Sequence, residues 1–223
     1  MIVALADAPV DWIGGKAAGL ARLMELGLPV PPAVVIPVGE ELEDPDEVTR
    51  LLGEPLAVRS SAIGEDAAER SFAGQFETVL DVGRDGLAAA VARVRGETER
   101  AAAYGAAGPL AVVIQRQVQA TRAGVAFSRD PVTRADEMLI ECALGRGDAI
   151  VAGEVTPDRY WVSGDCVRAR AAGALRTLRD DEALLLAQHV RAAEAAFGCP
   201  VDIEFCFEGR TLWLVQCRPI TTM

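Results

Sequence analysis

Apolar residues follow either a helical or an extended spacing along most of the chain. Helical spacing in residues 15–26, 87–104 and 180–197 predicts three helices, and Gly27 provides a stop signal for the first. Short apolar runs predict strands at 34–36, 56–58, 77–82, 110–118, 124–128, 138–142, 160–162, 201–207 and 211–217. Several strands follow one another without an intervening helix. The pattern therefore predicts an α+β fold with mixed or antiparallel sheets.

The last two strands form a predicted hairpin that carries polar side chains. Asp202 and Glu204 share one face of their strand, and Gln216 and Arg218 share a face with Leu214, because side chains alternate along a strand. If the strands pair about the turn without a bulge, Glu204 faces Gln216 and Asp202 faces Arg218. The other face is expected to be buried and to carry Ile203, Phe205, Trp213 and Val215.

Two interpretations of this polar face remain open from the residues alone. The first is a solvated surface with a cross-strand ion pair, which contributes a few tenths of a kcal/mol. The second is an oxygen pocket for Mg²⁺ made by a carboxylate and a carboxamide, with Arg218 beside it as a clamp for a phosphoryl group. The hairpin makes metal-phosphate chemistry possible without establishing it.

Upstream segments offer further groups for an anion. Gly14-Gly15-Lys16 opens the first helix, where backbone N–H groups and a lysine attract phosphate, although the spacing is not that of a Walker A loop. Arg59 ends a strand and is followed by serines and a small, polar, glycine-containing loop at 62–75, which suits phosphate capture as well as an ordinary surface. Residues 115–118 provide backbone groups at a lobe junction for an adenine edge.

The composition limits the functional class. The chain has 223 residues and a formal net charge of −11, which argues against a nucleic-acid binder. No stretch approaches the roughly 18–20 apolar residues that cross a bilayer, and the start lacks a basic leader, so we expect a soluble cytoplasmic protein without membrane contact. The five cysteines show no CxxC spacing and are expected to be reduced and buried.

Seven stretches between residues 14 and 222 match sequence motifs of one protein family, in the same order along the chain. They are GGKAAGLARLMELGLPVPPAVVI, LAVRSSAIGEDAAERSFAGQFETVLDV, AVVIQRQV, GVAFSRDPVT, EVTPDRYWV, VDIEF and LWLVQCRPITT. Together they resemble the N-terminal ATP-binding domain of the pyruvate phosphate dikinase and phosphoenolpyruvate synthase group, which includes rifampin phosphotransferases. This chain would be a short, stand-alone form of that domain. The resemblance implies an ATP-grasp fold, with lobes at 1–110 and 111–223 enclosing a nucleotide cleft.

The resemblance also implies roles for individual residues. Lys16 and Arg59 match the phosphate-binding lysine and arginine of the family, and Arg218 matches the arginine that acts on the transferring phosphates; these three are the expected catalytic residues. Glu204 and Gln216 match its Mg²⁺ ligands. The remaining expected nucleotide-binding residues are Asp202 beside the metal ligands, Ser71, Gly74 and Gln75 in the glycine-bearing phosphate loop, Thr78 after it, and Gln115, Gln117 and Val118 in the adenine hinge.

The reaction that the resemblance implies is transfer of the ATP β-phosphate to a histidine, with release of AMP and phosphate, or of AMP and pyrophosphate when phosphate is a co-substrate. Members of the group normally continue into a swivelling phosphohistidine domain, and His189, the single histidine, lies in a predicted helix without the glycine/threonine-rich context of a catalytic histidine. We therefore expect the histidine on a separate partner protein. Alternatives are a non-catalytic ATP-binding regulatory module, a kinase that acts directly on a small molecule, and a carboxylate–amine ligase that releases ADP.

Overall fold

Two antiparallel sheets form the frame of the molecule. The computed structural model describes residues 2–63, 78–103, 110–147 and 155–220. Every strand pairing within these ranges is antiparallel, with helices alongside both sheets. The predicted α+β class is confirmed. No helix within the described part of the chain is long and apolar enough to cross a membrane.

The first sheet has five strands in the order β1-β2-β5-β3-β4. Its strands are β1 (Val3–Ala4), β2 (Ala33–Ile36), β3 (Leu56–Ala62), β4 (Thr78–Val82) and β5 (Leu110–Arg116), and its helices are α1 (Gly14–Glu25), α2 (Pro45–Leu52) and α3 (Leu87–Ala103). One face of the sheet packs against α2 and α3 through a cluster that includes Val58, Ile114, Val48, Leu87 and Val91. The other face receives α1, because the Ala17 N–H donates to the Ser61 hydroxyl, 3.0 Å away.

The second sheet has six strands in the order β11-β10-β6-β7-β8-β9. Its strands are β6 (Arg122–Phe127), β7 (Met138–Leu144), β8 (Asp158–Ser163), β9 (Cys166–Arg170), β10 (Val201–Glu208) and β11 (Thr211–Pro219). The helix α4 (Asp180–Phe197) connects β9 to β10 in the chain. Arg122 shares a face with Phe207, its partner across β6 and β10, and binds Glu182 of α4. Helix α4 therefore covers the face that carries Phe207, and the opposite face carries Glu204.

The chain divides into two units at positions that differ from the predicted boundary. Residues Met1–Glu25 and Pro31–Gln117 form the first unit, and Leu26–Val30 with Val118–Met223 form the second. The boundary that was expected between residues 110 and 111 would assign nearly all of β5 to the second lobe, away from the sheet in which β5 lies. Because β5 hydrogen-bonds to both β2 and β3, it belongs to the first unit.

The long helices and most strands lie where periodicity predicted them. The exceptions are β1, which has two residues, and β9, which is mostly exposed. An exposed strand lacks the apolar alternation that marks a half-buried one, so β9 gave no signal in the sequence. The turn between β10 and β11 is also shorter than expected, since Glu208 pairs with Thr211 and only Gly209 and Arg210 connect them.

Candidate functional site

The β10–β11 hairpin brings the four predicted polar residues into two cross-strand pairs. Glu204 lies opposite Gln216, and Asp202 lies opposite Arg218. Both pairings were predicted, but the condition attached to them was wrong, because β11 contains a β-bulge. Val215 has no partner in the register, which changes between the Glu204 and Phe205 positions. The two-residue turn alone would have placed Val215 opposite Glu204.

The bulge also changes which side chains share a face. Leu214 lies opposite Phe205 and is fully buried, so it belongs to the α4 side and not to the face of Gln216. Trp213 and Val215, which were expected on the core side, instead pack against Cys206 on the face that carries Glu204. A bulge adds one residue to one strand. The side chains of β11 between the bulge and the turn therefore point to the opposite face from the one that a regular ladder through Gln216 predicts.

The Asp202–Arg218 pair is an ion pair in a partly buried setting. Arg218 Nε donates to Asp202 Oδ1 and Oδ2 at 2.9 and 2.8 Å. Asp202 is only 8% exposed and Gln216 only 5%. A fully solvated surface pair contributes little, and these side chains are not fully solvated. The ion pair of the first interpretation therefore exists, in a partly buried setting beside the Gln216 carboxamide.

Glu204 and Gln216 carry the oxygen atoms that a magnesium ion would need at this pair. A half-buried carboxylate and a buried carboxamide are neighbours on adjacent strands, and Mg²⁺ is typically bound through few protein oxygens with water and phosphate completing its shell. Within the described residues, no group of three or more His, Cys, Asp or Glu side chains could hold a metal by itself.

In the first unit, the start of α1 is attached to the end of β3. Gly14 has a φ of +72°, and a Cβ at this position would lie 2.4 Å from the Ser61 carbonyl oxygen. Only glycine permits this approach and this backbone conformation. The Ala17 N–H bond to Ser61 Oγ then holds the first helical turn, which includes Lys16, against the strand.

Arg59 lies in the middle of β3 on the face that receives α1. It shares that face with Ser61, two residues further along, and its partners in the register are Thr78 of β4 and Val113 of β5. Two of the predicted nucleotide-binding residues, Arg59 and Thr78, therefore share the sheet face that receives α1, the helix that contains Lys16. Arg59 is half-buried and Thr78 is exposed.

The predicted adenine hinge makes several structural bonds of its own. Gln115 Nε2 donates to the Pro31 carbonyl at 3.3 Å, and the Gln117 N–H donates to the Pro55 carbonyl at 3.0 Å. The side-chain amide of Gln117 is bound to Asp81, as described below. Val118 is buried in the cluster that contains Trp213. The boundary between the two units falls between Gln117 and Val118.

Three predicted residues of the phosphate loop, Ser71, Gly74 and Gln75, lie outside the described residues. The others are divided between the units. Lys16, Arg59, Thr78, Gln115 and Gln117 belong to the first, and Val118, Asp202, Glu204, Gln216 and Arg218 to the second.

Nothing in the sequence indicated a partly buried network at the hairpin turn. Arg122 donates to Glu182 at 2.7 and 3.1 Å, to the Thr177 carbonyl at 2.9 Å and to the carbonyl of Gly209 in the hairpin turn at 2.8 Å. Burial would raise the pKa of Glu182, but hydrogen bonds from Arg122 and the Arg179 N–H lower it below its usual value. A single arginine at a strand start carries no sequence signal of such a role.

Solved structures define the fold class. The chain resembles PH1788 from Pyrococcus horikoshii, with a TM-score of 0.59 and 14% identity over 92% of this chain and 89% of that one. It also resembles D-alanine–D-alanine ligase from Bacillus anthracis complexed with ATP, with a TM-score of 0.51 and 12% identity over 94% of this chain and 52% of the ligase. At these identities the likeness concerns the fold alone, which is that of the ATP-grasp enzymes.

The family follows from the sequence comparison. The family described as pyruvate phosphate dikinase, AMP/ATP-binding domain, matches residues 40–173 and 165–223. The chain therefore belongs to this family of ATP-binding domains.

Curated relatives are longer than this chain. A probable phosphoenolpyruvate synthase of Methanothermobacter thermautotrophicus is 29% identical over 304 aligned positions, which cover 96% of this chain and 44% of the relative. Rifampicin phosphotransferase of Bacillus cereus is 34% identical over 202 positions, which cover 75% of this chain and 23% of the relative. The chain thus spans less than half the length of either protein.

Proposed function

We propose that this chain is the ATP-binding component of a phosphotransferase, which transfers the β-phosphate of ATP to a histidine of a separate protein and releases AMP. The γ-phosphate leaves as inorganic phosphate or, where phosphate is a co-substrate, as pyrophosphate. The observation that carries the proposal is the hairpin register, which pairs Glu204 with Gln216 and Asp202 with Arg218 in a chain of this family. A regular hairpin with the same turn would separate Glu204 from Gln216.

Each group has a role in the proposed reaction. Glu204 and Gln216 would hold Mg²⁺, which, when bound, neutralises charge on the phosphate oxygens. Arg218, oriented by Asp202 through Nε, would stabilise charge on the transferring phosphoryl group. Lys16 and Arg59 would bind phosphates from the first unit.

The rest of the proposed nucleotide site follows the family resemblance. Ser71, Gly74, Gln75 and Thr78 would contact the phosphates, and Gln115, Gln117 and Val118 would contact the adenine through backbone groups. Phosphoryl transfer depends mainly on positioning and charge neutralisation, which these residues are suited to supply.

The acceptor histidine is proposed to lie outside these residues. His189 is the single histidine of the chain, and it lies half-buried in α4, where burial lowers its pKa. Helix α4 covers the sheet face opposite the Glu204–Gln216 pair, so His189 is on the wrong side of the sheet to receive a phosphoryl group bound there.

The test is to identify the nucleotide product with Mg-ATP, with and without a purified phosphohistidine-domain protein of the phosphoenolpyruvate synthase type. We expect AMP formation that requires the added protein and phosphorylates its histidine. Formation of ADP would contradict the proposal and favour a ligase or a direct kinase. ATP binding without turnover would favour a regulatory module, and AMP formation without the partner would favour a small-molecule acceptor.

Point variants test the metal assignment in the same assay. We expect Glu204→Gln and Gln216→Ala to lower Mg-dependent ATP use by about tenfold or more, because each removes an oxygen ligand or its charge. Glu208→Gln is the matched control, since it changes a carboxylate on the same face of β10 near the turn. Parent activity in either metal-site variant, with the cognate partner present, would rule out that ligand.

A further inference from the structure

Strand β4 contains a bulge next to a residue with unusual backbone geometry. Leu56 of β3 lies opposite Val82, whereas Val58 lies opposite Val79, so one residue of β3 faces two residues of β4. One of these two is Asp81, whose φ is +56°. Residues with a Cβ rarely adopt this left-handed conformation, and they keep it only where the surroundings favour it.

The side chain of Gln117 supplies that support. Its Oε1 accepts the Asp81 N–H at 2.6 Å, and its Nε2 donates to Asp81 Oδ1 at 2.7 Å. Both ends of one amide group therefore bind the same residue. Gln117 is only 8% exposed, and its N–H is bound to the Pro55 carbonyl, so the side chain starts from a fixed backbone position.

The bulge decides what lies beside Arg59. With the extra residue, Thr78 is the cross-strand partner of Arg59 and lies on the face that receives α1. Without it, continuation of the Leu56–Val82 register would place Thr78 opposite Ser60 and turn its side chain to the other face of the sheet. A register shift of one residue inverts every side chain in a strand.

From this geometry we infer that Gln117 is a positioning residue: through Asp81 it holds the β4 bulge and so sets Thr78 beside Arg59. Its side chain acts on the phosphate-binding side of the first unit and does not contact the nucleotide. The inference rests on the proposed function only for its effect on ATP use, because the register itself is independent of any ligand.

Five variants of the full chain test this role. Gln117→Ala removes the support from Asp81, and Asp81→Gly makes the left-handed conformation free of strain, since glycine adopts it readily. The double variant Gln117→Ala/Asp81→Gly should therefore recover what Gln117→Ala loses. A second pair, Gln117→Glu alone and with Asp81→Asn, reverses the donor and acceptor between the two side chains, so we expect the second substitution to rescue the first.

The first readout is amide hydrogen exchange in a peptide that covers residues 78–82, without nucleotide. We expect Gln117→Ala to accelerate exchange there by about tenfold or more, and the double variant to return to within about threefold of the parent. Unchanged exchange in Gln117→Ala would overturn the inference. This measurement tests the support of β4 by Gln117 even if the protein does not use ATP, so failure of the proposed function is distinguishable.

The second readout is the split between KM for ATP and kcat with the histidine-domain partner. We expect Gln117→Ala to raise KM by about tenfold with a smaller change in kcat, because it displaces a phosphate-binding element without removing a catalytic group. Rescue of KM by Asp81→Gly supports positioning. A raised KM that Asp81→Gly leaves unchanged would mean that the Gln117 side chain contacts the nucleotide directly, and the inference would be wrong.

Discussion

At the scale of single residues, Gly14 determines how the first helix meets the first sheet. Its left-handed backbone conformation and its contact with the Ser61 carbonyl both require the absence of a Cβ. Gly27 has a similar φ of +68°, but a Cβ there would meet nothing within 4 Å. The two glycines therefore separate the effect of backbone conformation from that of close contact.

Alanine at each position measures these two effects. We expect Gly27→Ala to lower the free energy of unfolding by about 1–2 kcal/mol, the usual cost of a left-handed residue with a Cβ. Gly14→Ala should cost about 1–3 kcal/mol more, because the Ser61 carbonyl is backbone and cannot rotate away. Urea unfolding of both variants provides the comparison. Equal losses would show that α1 moves away from β3 at little cost.

Asp158 gives the stability of the second unit a dependence on pH. This buried carboxylate accepts the N–H groups of Ala172 and Thr177 at 2.6 and 2.7 Å. Burial alone would raise its pKa, but these hydrogen bonds favour the charged form more strongly and hold the pKa below its ordinary value. Since the unfolded value is about 3.9, the contribution is complete above that pH and is lost as the pH falls through the folded pKa.

The corresponding variant is Asp158→Asn. We expect it to lower the free energy of unfolding by about 1–3 kcal/mol near pH 7, because the neutral amide cannot accept both N–H groups as well. The difference from the parent should shrink as the pH falls below about 4, where the unfolded chain binds a proton at Asp158 before the folded protein does. Asp165→Asn, at the exposed turn between β8 and β9, is the control and should change little. A difference that stays constant from pH 7 to pH 3 would contradict the explanation.

At the scale of elements, the bulge in β11 allows a two-residue turn and a Glu204–Gln216 pair to coexist. Removal of Val215 would make the ladder regular while Leu214 stays opposite Phe205 and Gln216 stays opposite Glu204. Removal of Cys217 would also straighten the strand, but would move Gln216 opposite Ile203, on the side that packs against α4.

The two deletions form a matched pair. We expect the Val215 deletion to fold and to retain Mg-dependent ATP use within about tenfold of the parent, with reduced stability from the lost packing of Val215. The Cys217 deletion should lose that activity or fail to fold, because it directs a carboxamide into the core. Circular dichroism establishes folding before activity is compared. A folded but inactive Val215 deletion would show that the bulge itself, and not only the pairing, is needed.

At the scale of the whole molecule, the two units are not two consecutive halves of the sequence. Residues 26–30 belong to the second unit although the first unit surrounds them in sequence. Within the second unit, the Leu214 N–H of the edge strand β11 donates to the Pro29 carbonyl at 2.7 Å. An uncovered edge strand favours association with other chains.

A cut between residues 117 and 118 should therefore harm the second unit. We expect fragment 118–223 alone to aggregate or to unfold without a cooperative transition, and co-expression with fragment 1–117 to restore a soluble, folded product. Size-exclusion chromatography and thermal unfolding provide the measurements. If fragment 118–223 were monomeric and unfolded cooperatively by itself, residues 26–30 would be dispensable for its fold.

The sequence predicted the positions of helices and strands better than the register between strands and the faces on which side chains lie. Helical periodicity located α1, α3 and α4 closely, because amphipathic spacing is a local property. The cross-strand pairs of the hairpin were also predicted, yet the bulge at Val215 was not, and the predicted faces of Leu214 and Trp213 were wrong. Register depends on which strand hydrogen-bonds to which, and no local pattern records an extra residue.

By itself, the sequence determined the α+β class, the ATP-binding family and the residues proposed to bind metal and phosphate, since these depend on local periodicity and on ordered motifs. Only the tertiary structure decided that β5 belongs to the first unit, that Gln216 points away from α4, and that Gln117 binds Asp81. These properties arise between residues far apart in the chain. Strand pairing and buried hydrogen bonds form only when such residues meet in the fold.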